Sequence, residues 1–428
     1  MSDLRPRKEN DQNKNLRHIF YLSGFLDLLG VSMIMPLIQP QIIDMGASPT
    51  VAGILGSVYG GLQLFSSPVV GHWSDSAGRR YCLYMCLLLT AVGYTTLGLY
   101  QALSIFFIGR FVLGCFKHSQ TICKALLADS VSPEYQAEVI GNFNSFSSIG
   151  FIVGPICGGH LAETQWGFSL VAFTAGFVFL LNSAVVWWVV PPDTQVTHHE
   201  DSAEGPLHRS DTSFSLKKLN SDEINFSFDK LIKSFREFDW VQLWDLFLIK
   251  FLAGFSVIIF RTNFSMVLRQ KFVASPKTMG YMTSYSGIVS TLSGFVVGKI
   301  TRRYNNTARL FLHVTILQAV ALLCLSLTPS ITLLICFLTP LGLVTSVSRV
   351  SGTTLTIQRS GNTALGSVMG LSQSVMAIAR MIAPFLAGLA QEISVDGASY
   401  ISVVAAALSV AIMVVRPQDP VSRKLKTS

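Results

Sequence analysis

Charged residues are scarce in this sequence. Lys, Arg, Asp and Glu make up 13% of its 428 residues, about half of the ~25% typical of soluble domains. Hydrophobic residues make up 50%, and the mean hydropathy is +0.49. Apolar runs of about 20 residues recur along the chain, and a helix of that length crosses a ~30 Å hydrocarbon core. The composition excludes a soluble enzyme and predicts a multi-pass integral membrane protein.

Signatures of catalytic, metal and nucleic-acid chemistry are also missing. No Walker-type phosphate loop occurs, so the sequence offers no ATP site. The 7 cysteines lie in or beside apolar runs without metal-ligand spacing, which indicates packing residues. The net charge is +8, but no soluble basic domain is present that would bind nucleic acid. We therefore expect no enzymatic activity, no metal and no cofactor.

Twelve apolar segments have the length of membrane-spanning helices. They fall into two groups of six, so the predicted fold is an all-α polytopic bundle of two pseudo-symmetric six-helix halves. The first half is predicted at 17–40, 50–72, 82–100, 102–126, 138–163 and 167–190. The second half is predicted at 241–266, 276–299, 308–328, 330–349, 364–391 and 395–415.

Polar segments divide the chain into five units. They are an N-terminal tail (1–16), a bundle (17–190), a linker (191–240), a second bundle (241–416) and a C-terminal tail (417–428).

Basic residues cluster at alternate helix ends, and both tails and the linker belong to the basic side. The positive-inside rule assigns that side, with both termini, to the cytoplasm. The exceptions on the opposite side are Arg269, Lys271 and Lys277. The basic side carries Arg5, Arg7, Lys8, Lys14, Arg17, Arg79, Arg80, Lys217, Lys218, Lys230, Lys233, Arg236, Arg302, Arg303, Arg359, Arg423, Lys424 and Lys426.

The fifth and eleventh helices carry matching patterns of small residues around a proline. Small residues let helix backbones approach closely in lipid, and a proline permits a local bend. The matched pair indicates two related halves with a cavity between them near the midplane. The patterns are Gly150-x-x-x-Gly154-Pro155-x-x-Gly158-Gly159 and Ala379-x-x-x-Ala383-Pro384-x-x-Ala387-Gly388, each followed at the same distance by a glutamate, Glu163 or Glu392.

Asp27 lies deep in the first predicted helix. It is about ten residues in, which is roughly 15 Å at ~1.5 Å per residue. A carboxylate at that depth costs about 2.5–3.5 kcal/mol on insertion scales, so it must face a cavity or a partner. Two interpretations stay open. Asp27 forms a structural ion pair with Arg110, or it binds a proton as the cavity closes and loses it as Arg110 or solvent approaches.

Deep basic residues outnumber deep acids. Arg110, Lys117 and Lys124 are spaced by seven, which places them on one face of a continuous helix. Lys124 is expected to reach the cytoplasmic surface and pair with Asp129. A basic stripe along a water-filled cavity attracts anions, so the sequence favours a negatively charged organic substrate. The second half adds Lys250 and Arg261, which share a helix face, and Arg380 beside Pro384.

Four segments resemble the major facilitator superfamily, in particular its tetracycline/proton antiporter-like branch. Leu26–Leu37 resembles the first-helix motif of that branch, and Gly71–Arg80 is similar to the superfamily signature after the second helix. Gly109–Gly114 resembles the arginine motif of the fourth helix, and Gly154-Pro155 resembles the antiporter motif of the fifth. The equivalent second-half loop, 298–303, lacks the acidic residue of the signature.

The resemblance implies a secondary active transporter that moves a small organic solute by alternating access, with proton-coupled antiport favoured. Its expected partners are the solute, protons and the lipid bilayer, and the protein is expected to be monomeric. A membrane sensor or scaffold that kept the fold without transporting is the alternative, because the second-half motifs are degraded. The depth and charge of the residues, together with the resemblance, give the candidate coupling and cavity residues Asp27, Arg110, Lys117, Lys250 and Arg380. The resemblance implies a cytoplasmic gating loop of Gly71, Asp75, Gly78, Arg79 and Arg80. It also implies the antiporter motif Gly150, Gly154, Pro155, Gly158 and Gly159, to which the internal repeat adds Pro384.

Overall fold

The computed structural model describes residues 11–99, 102–191, 240–304, 306–360 and 365–418, and most of the predicted linker lies outside them. The described residues form helices joined by short connections, without a β-strand among them. The first half contains α1 (Asp11–Ile34), α2 (Ile38–Asp44), α3 (Pro49–Ala77), α4 (Arg79–Leu99), α5 (Leu103–Phe116), α6 (Ser119–Asp129), α7 (Pro133–Ala162) and α8 (Gly167–Val189). The second half contains α9 (Trp240–Gln270), α10 (Pro276–Arg303), α11 (Thr307–Leu327), α12 (Ile331–Ser360), α13 (Leu365–Ile393) and α14 (Gly397–Val415).

These helices make twelve passes, six in each half. α1 and α2 form one pass, joined by a 3-10 turn at Met35–Leu37, and α5 and α6 form another. Within the described ranges, nine helical segments are long and apolar enough to cross a membrane. The remaining passes are α3 and α10, which are rich in glycine and serine, and the interrupted α5–α6 pair. The predicted all-α bundle of two six-helix halves is confirmed.

Each half packs on its own, and the halves meet along two helix pairs. α1 packs along α7 and α8 in the first half, and α9 packs along α13 and α14 in the second. Between the halves, α3 packs against α13 and α7 against α10. Twelve passes return the chain to its starting side. The side where α1 begins and α14 ends is called the terminal face, and the opposite side the distal face.

Glycines show that the halves touch toward the distal face. A Cβ added to Gly53 would lie 2.4 Å from the carbonyl oxygen of Pro384, and one added to Gly280 would lie 2.2 Å from that of Pro155. These contacts leave no room for a side chain, because a backbone carbonyl cannot move aside. Toward the terminal face of the same helices, a Cβ on Gly71 or Gly298 would meet nothing within 4 Å. The halves therefore pack together distally and separate toward the terminal face.

The close approach at Gly280 predicts the effect of one methyl group. Gly280→Ala should destabilise the distal contact by about 1–3 kcal/mol, the usual cost of overpacking, and lower the unfolding temperature of the detergent-purified protein. Gly298→Ala is the matched control, since it adds the same methyl group on the same helix in open space. Equal losses of unfolding temperature in the two variants would contradict the assigned contact.

Candidate functional site

Asp27 lies in a buried polar cluster inside the first half. Its side chain is 2% exposed, and Nζ of Lys117 lies 2.7 Å from both carboxylate oxygens. Nε2 of Gln120 donates to Oδ2 at 3.0 Å, and the Ser119 hydroxyl donates to Oδ1. The carboxylate therefore accepts hydrogen bonds from one ammonium group and two neutral donors, all from the fourth pass.

A break in the fourth pass brings these donors together. α5 ends at Phe116, and Lys117 adopts the non-helical angles φ −77° and ψ 65°. An unpaired carbonyl in hydrocarbon costs several kcal/mol, so a break needs side chains that satisfy the backbone. Ser66 of α3 donates to the carbonyl of Gly114 at 3.2 Å, and Gln63 donates to that of Lys117 at 3.1 Å. Two polar residues of α3 thus stabilise the geometry that places Lys117 on Asp27.

Arg110 does not pair with Asp27, which contradicts the interpretation of a structural ion pair between these two residues. The Arg110 guanidinium lies over the ring of Tyr59, 4.2 Å from its centroid. Its Nε atom is buried and has no hydrogen-bond partner in the described part of the chain. The prediction assumed a continuous fourth helix, whereas the break redirects Lys117 toward Asp27.

The predicted pair of Lys124 and Asp129 is also absent. Asp129 is bound by Nε of Arg79 at 2.7 Å, and Nζ of Lys124 lies 5.8 Å from the ring centroid of Phe143. Arg79 reaches Asp129 because Gly78, at φ +96°, turns the chain directly from α3 into α4. That angle is in the region that favours glycine.

The loop predicted as a gate makes its contacts within the first half. Arg79 lies between Asp75, at 3.2 Å, and Asp129. Arg80 donates to the carbonyl of Trp187 and lies over its ring, 5.1 Å from the centroid. The side chain of Asp75 is 63% exposed. The structure brings the loop residues together at the terminal face and leaves the carboxylate of Asp75 open to a further partner.

The second half contains deep cations without carboxylate partners. Nζ of Lys250 donates to the hydroxyls of Thr356, at 3.0 Å, and Ser372, at 2.6 Å. Arg261 of α9 lies near enough to Arg349 of α12 to feel its like charge. Arg380 is exposed within α13. Among the described residues, no carboxylate lies within ion-pair distance of these four cations.

Sequence reasoning missed Arg349 because it ended the tenth helix too early. The predicted end was residue 349, which would place Arg349 at the rim. α12 continues to Ser360, so Arg349 lies eleven residues inside the helix end, or about 16 Å at ~1.5 Å per residue. The signal was the run from 351 to 356, which contains neither a proline nor a charged residue to end the span.

Arg359, predicted as a loop cation, is part of a buried cluster at the terminal face. Asp245 is 0% exposed and lies 3.1 Å from Nη2 of Arg359. Gln418 donates to the other oxygen of Asp245 at 3.1 Å and accepts a hydrogen bond from Arg359. The cluster joins the start of α9, the end of α12 and the segment after α14, so we assign it a structural role in closing the second half.

The antiporter-motif residues have two different contacts. Cβ atoms added to Gly150 or Gly158 would lie 2.3 Å from the carbonyl oxygen of Phe25 and 2.1 Å from that of Met33. These glycines therefore pack α7 against α1. Pro155 instead faces α10 through Gly280, and its counterpart Pro384 faces α3 through Gly53. Gly154, like Gly150, packs against α1, and Gly159 lies against Pro276 of α10.

A second internal repeat links α3 and α10 and was missed in the sequence. The two helices begin alike and place glycine and serine at equal intervals on the sides that face the opposite halves. Ser57 accepts a hydrogen bond from the backbone of Phe385 at 3.0 Å, and its counterpart Ser284 donates to that of Ile152 at 2.6 Å. The repeat reads Ser48, Pro49, Gly53, Ser57 and Gly60 in α3, and Ser275, Pro276, Gly280, Ser284 and Gly287 in α10.

Two six-helix halves around buried charges define a polytopic membrane transporter fold. The sequence profile of the Major Facilitator Superfamily matches residues 20–244 and 246–428. The chain therefore belongs to the major facilitator superfamily, and the resemblance read from its motifs is confirmed.

Individual relatives and a solved structure agree with this assignment. The chain is 26% identical to Solute carrier family 22 member 18 of Mus musculus, over 86% of this chain and 87% of that protein. It is 30% identical to the class G tetracycline resistance protein of Vibrio anguillarum, over 42% of this chain and 45% of that protein. The crystal structure of the human organic anion transporter MFSD10 (TETRAN) superposes with a TM-score of 0.63 at 19% identity, covering 94% of this chain and 99% of that one.

The pairing of Asp27 and Lys117 makes a prediction about stability. Lys117→Met alone leaves a buried carboxylate without its cation, which costs about 3–5 kcal/mol. The double variant Asp27→Asn/Lys117→Met removes both charges and should recover much of that loss. Thermal unfolding of the parent, the two single variants and the double variant in detergent measures the coupling. Additive effects of the two substitutions would show that the ion pair contributes nothing.

Proposed function

We propose that this protein is a secondary active transporter that moves a small organic anion across a membrane by alternating access. The observation that carries the proposal is a repeated glycine spacing on the four helices between the halves. Each helix has a distal glycine packed on the opposite half and another glycine eighteen residues away, which is five turns and therefore the same face. The pairs are Gly53 and Gly71, Gly159 and Gly141, Gly280 and Gly298, and Gly388 and Gly370.

These glycines support a rocking motion of one half against the other. A Cβ on any distal member would lie within 3 Å of the opposite half, whereas one on any terminal member would meet nothing within 4 Å. If the distal ends part, the terminal ends of the same faces approach each other, and glycine permits that close approach. The described conformation would then be one of two, with the cavity open to the terminal face.

The charges of the cavity favour an anion as cargo. Lys117 offsets Asp27 at 2.7 Å, so the first half contributes Arg110 as an uncompensated cation. The second half adds Lys250, Arg261 and Arg349, and a cation deep in a span is tolerated where it faces water or a ligand. A cavity with this excess of positive charge raises the local concentration of anions. The human neighbour of the same fold is an organic anion transporter, which agrees with such a cargo.

Asp27 is the proposed proton site. Protonation would remove its charge and leave the Lys117 ammonium uncompensated in a buried cluster, so proton occupancy and anion occupancy of the cavity are electrostatically linked. The resemblance to the tetracycline antiporters favours exchange against protons. The loop around Asp75 at the terminal face is the proposed gate, because this carboxylate, which lies 3.2 Å from Arg79 but is 63% exposed, can also bind the second half when the terminal ends close. The basic residues favour the cytoplasm as the compartment that this face borders.

A flux assay in proteoliposomes tests the proposal. Labelled organic anions should enter under a pH gradient, and labelled organic cations should not. Arg349→Gln should lower anion uptake at least severalfold, because the variant lacks one of the deep cations that have no carboxylate partner among the described residues. Asp27→Asn should abolish the dependence on the pH gradient.

The matched control is Arg309→Gln, which removes an exposed arginine at the start of α11 and should transport like the parent. Uptake of cations alone, unchanged in Arg349→Gln, would contradict the anion assignment. Equal pH-driven flux in the parent and in Asp27→Asn would contradict proton coupling at this carboxylate.

A further inference from the structure

Two glutamates reach across the distal face in the same way. Oε1 of Glu392, in the last turn of α13, accepts a hydrogen bond from the backbone N–H of Thr50 at 3.3 Å. Oε1 of Glu163, which follows α7, accepts one from the backbone N–H of Lys277 at 3.4 Å. Thr50 and Lys277 are the second residues of α3 and α10. Each half therefore supplies one carboxylate that caps the start of a helix in the other half.

The first turn of α3 leaves one backbone donor for that glutamate. Pro49 has no N–H, and the Ser48 hydroxyl accepts from the N–H of Val51 at 3.4 Å. The N–H of Ala52 donates to the carbonyl of Ser48 at 3.1 Å. Only the N–H of Thr50 needs a partner from outside the helix. Glu392 supplies it.

The first turn of α10 repeats this arrangement. Pro276 has no N–H, and the Ser275 hydroxyl accepts from the N–H of Thr278 at 3.3 Å. The N–H of Met279 donates to the carbonyl of Ser275 at 2.9 Å. The N–H of Lys277 is the remaining donor, and it binds Glu163. Two independent helix starts thus leave the same N–H for a glutamate of the opposite half.

Close backbone packing holds both glutamates in reach. A Cβ on Gly388 would lie 2.4 Å from the carbonyl oxygen of Pro49, and one on Gly159 would lie 2.8 Å from that of Pro276. Each glycine stands four residues before its glutamate, which is about one helical turn. A separation of the distal ends would break both hydrogen bonds and withdraw each carboxylate from the positive end of a helix, where negative charge is stabilised.

We propose that Glu163 and Glu392 are paired latches that hold the distal face closed and so set the ratio of the two conformations. They position the halves and do not contact the cargo. Asp44 and Arg269 form a further ion pair across this face, at 2.7 Å and 2.5 Å, but it has no counterpart in the repeat. The inference rests on the proposed alternating access, yet its measurement needs no substrate.

Distances between spin labels on the purified, full-length protein test the latches. Leu99→Cys and Leu327→Cys place nitroxides at exposed ends of α4 and α11 on the distal face, in a background whose native cysteines are replaced. The double variant Glu163→Gln/Glu392→Gln should raise the ratio of long to short distances about three- to thirtyfold at low salt, as expected for losing two exposed charges at helix starts. Each single variant should give part of that change.

Glu138→Gln is the matched control, because it removes an exposed carboxylate from the other end of α7 and should leave the distances unchanged. A double variant that keeps the parent's distances would overturn the latches. Glu163→Ala/Glu392→Ala removes the acceptors as well as the charges, and it should shift the distances further than the glutamine variant. A shifted distance ratio without flux of any anion would instead contradict the proposed function and leave the latches supported.

Discussion

Hydrocarbon offers no hydrogen-bond partners, so every deep charge and every freed backbone group of this protein must find its partner within the bundle or in a water-filled cavity. The first half meets this constraint at Asp27. The carboxylate binds Lys117 at 2.7 Å, and the break that delivers Lys117 is stabilised by Gln63 and Ser66 of α3. The break, the ion pair and the polar face of α3 therefore depend on one another.

The second half meets the same constraint differently. Lys250 is held by two hydroxyls, and Arg261 has no carboxylate within ion-pair distance among the described residues. Hydroxyl groups solvate an ammonium without neutralising it, so the positive charge remains available to a ligand. This asymmetry separates a neutralised site in the first half from a basic surface in the second. It is the physical basis for proposing a proton site in one half and an anion surface between both.

The fold could be predicted from the sequence because it follows from the length and number of apolar runs. The antiporter motif was visible for a similar reason, since close helix packing in lipid needs small residues at fixed intervals. The repeat in α3 and α10 was equally readable but lies among serines and glycines that lower the hydropathy of both helices. Its cross-half contacts at Gly53 and Gly280 became evident only once the helices were placed.

The partners of the deep charges could not be predicted, because they depend on where helices break and end. The spacing of Arg110 and Lys117 predicts one helix face, and the break at Lys117 removes that relation. The tenth predicted helix ended at residue 349, whereas the structure continues that helix for a further eleven residues. Periodicity fixes which face of a continuous helix a residue lies on. It does not show where a helix breaks, because a break depends on side chains of a neighbouring helix that bond the freed carbonyls.

Transport by the proposed route requires the deep cations to face water that enters from the terminal face. Labelling of a single cysteine at Arg380 with a membrane-impermeant thiol reagent tests it most directly, in a background without native cysteines. A cysteine at Leu323, an exposed apolar position on α11, serves as the lipid-facing reference. We predict rapid labelling at position 380 from the terminal side, slow labelling at 380 from the distal side, and little labelling at position 323 from either side. A cysteine at 380 that no reagent reaches from either side would contradict the cavity and the transport built on it.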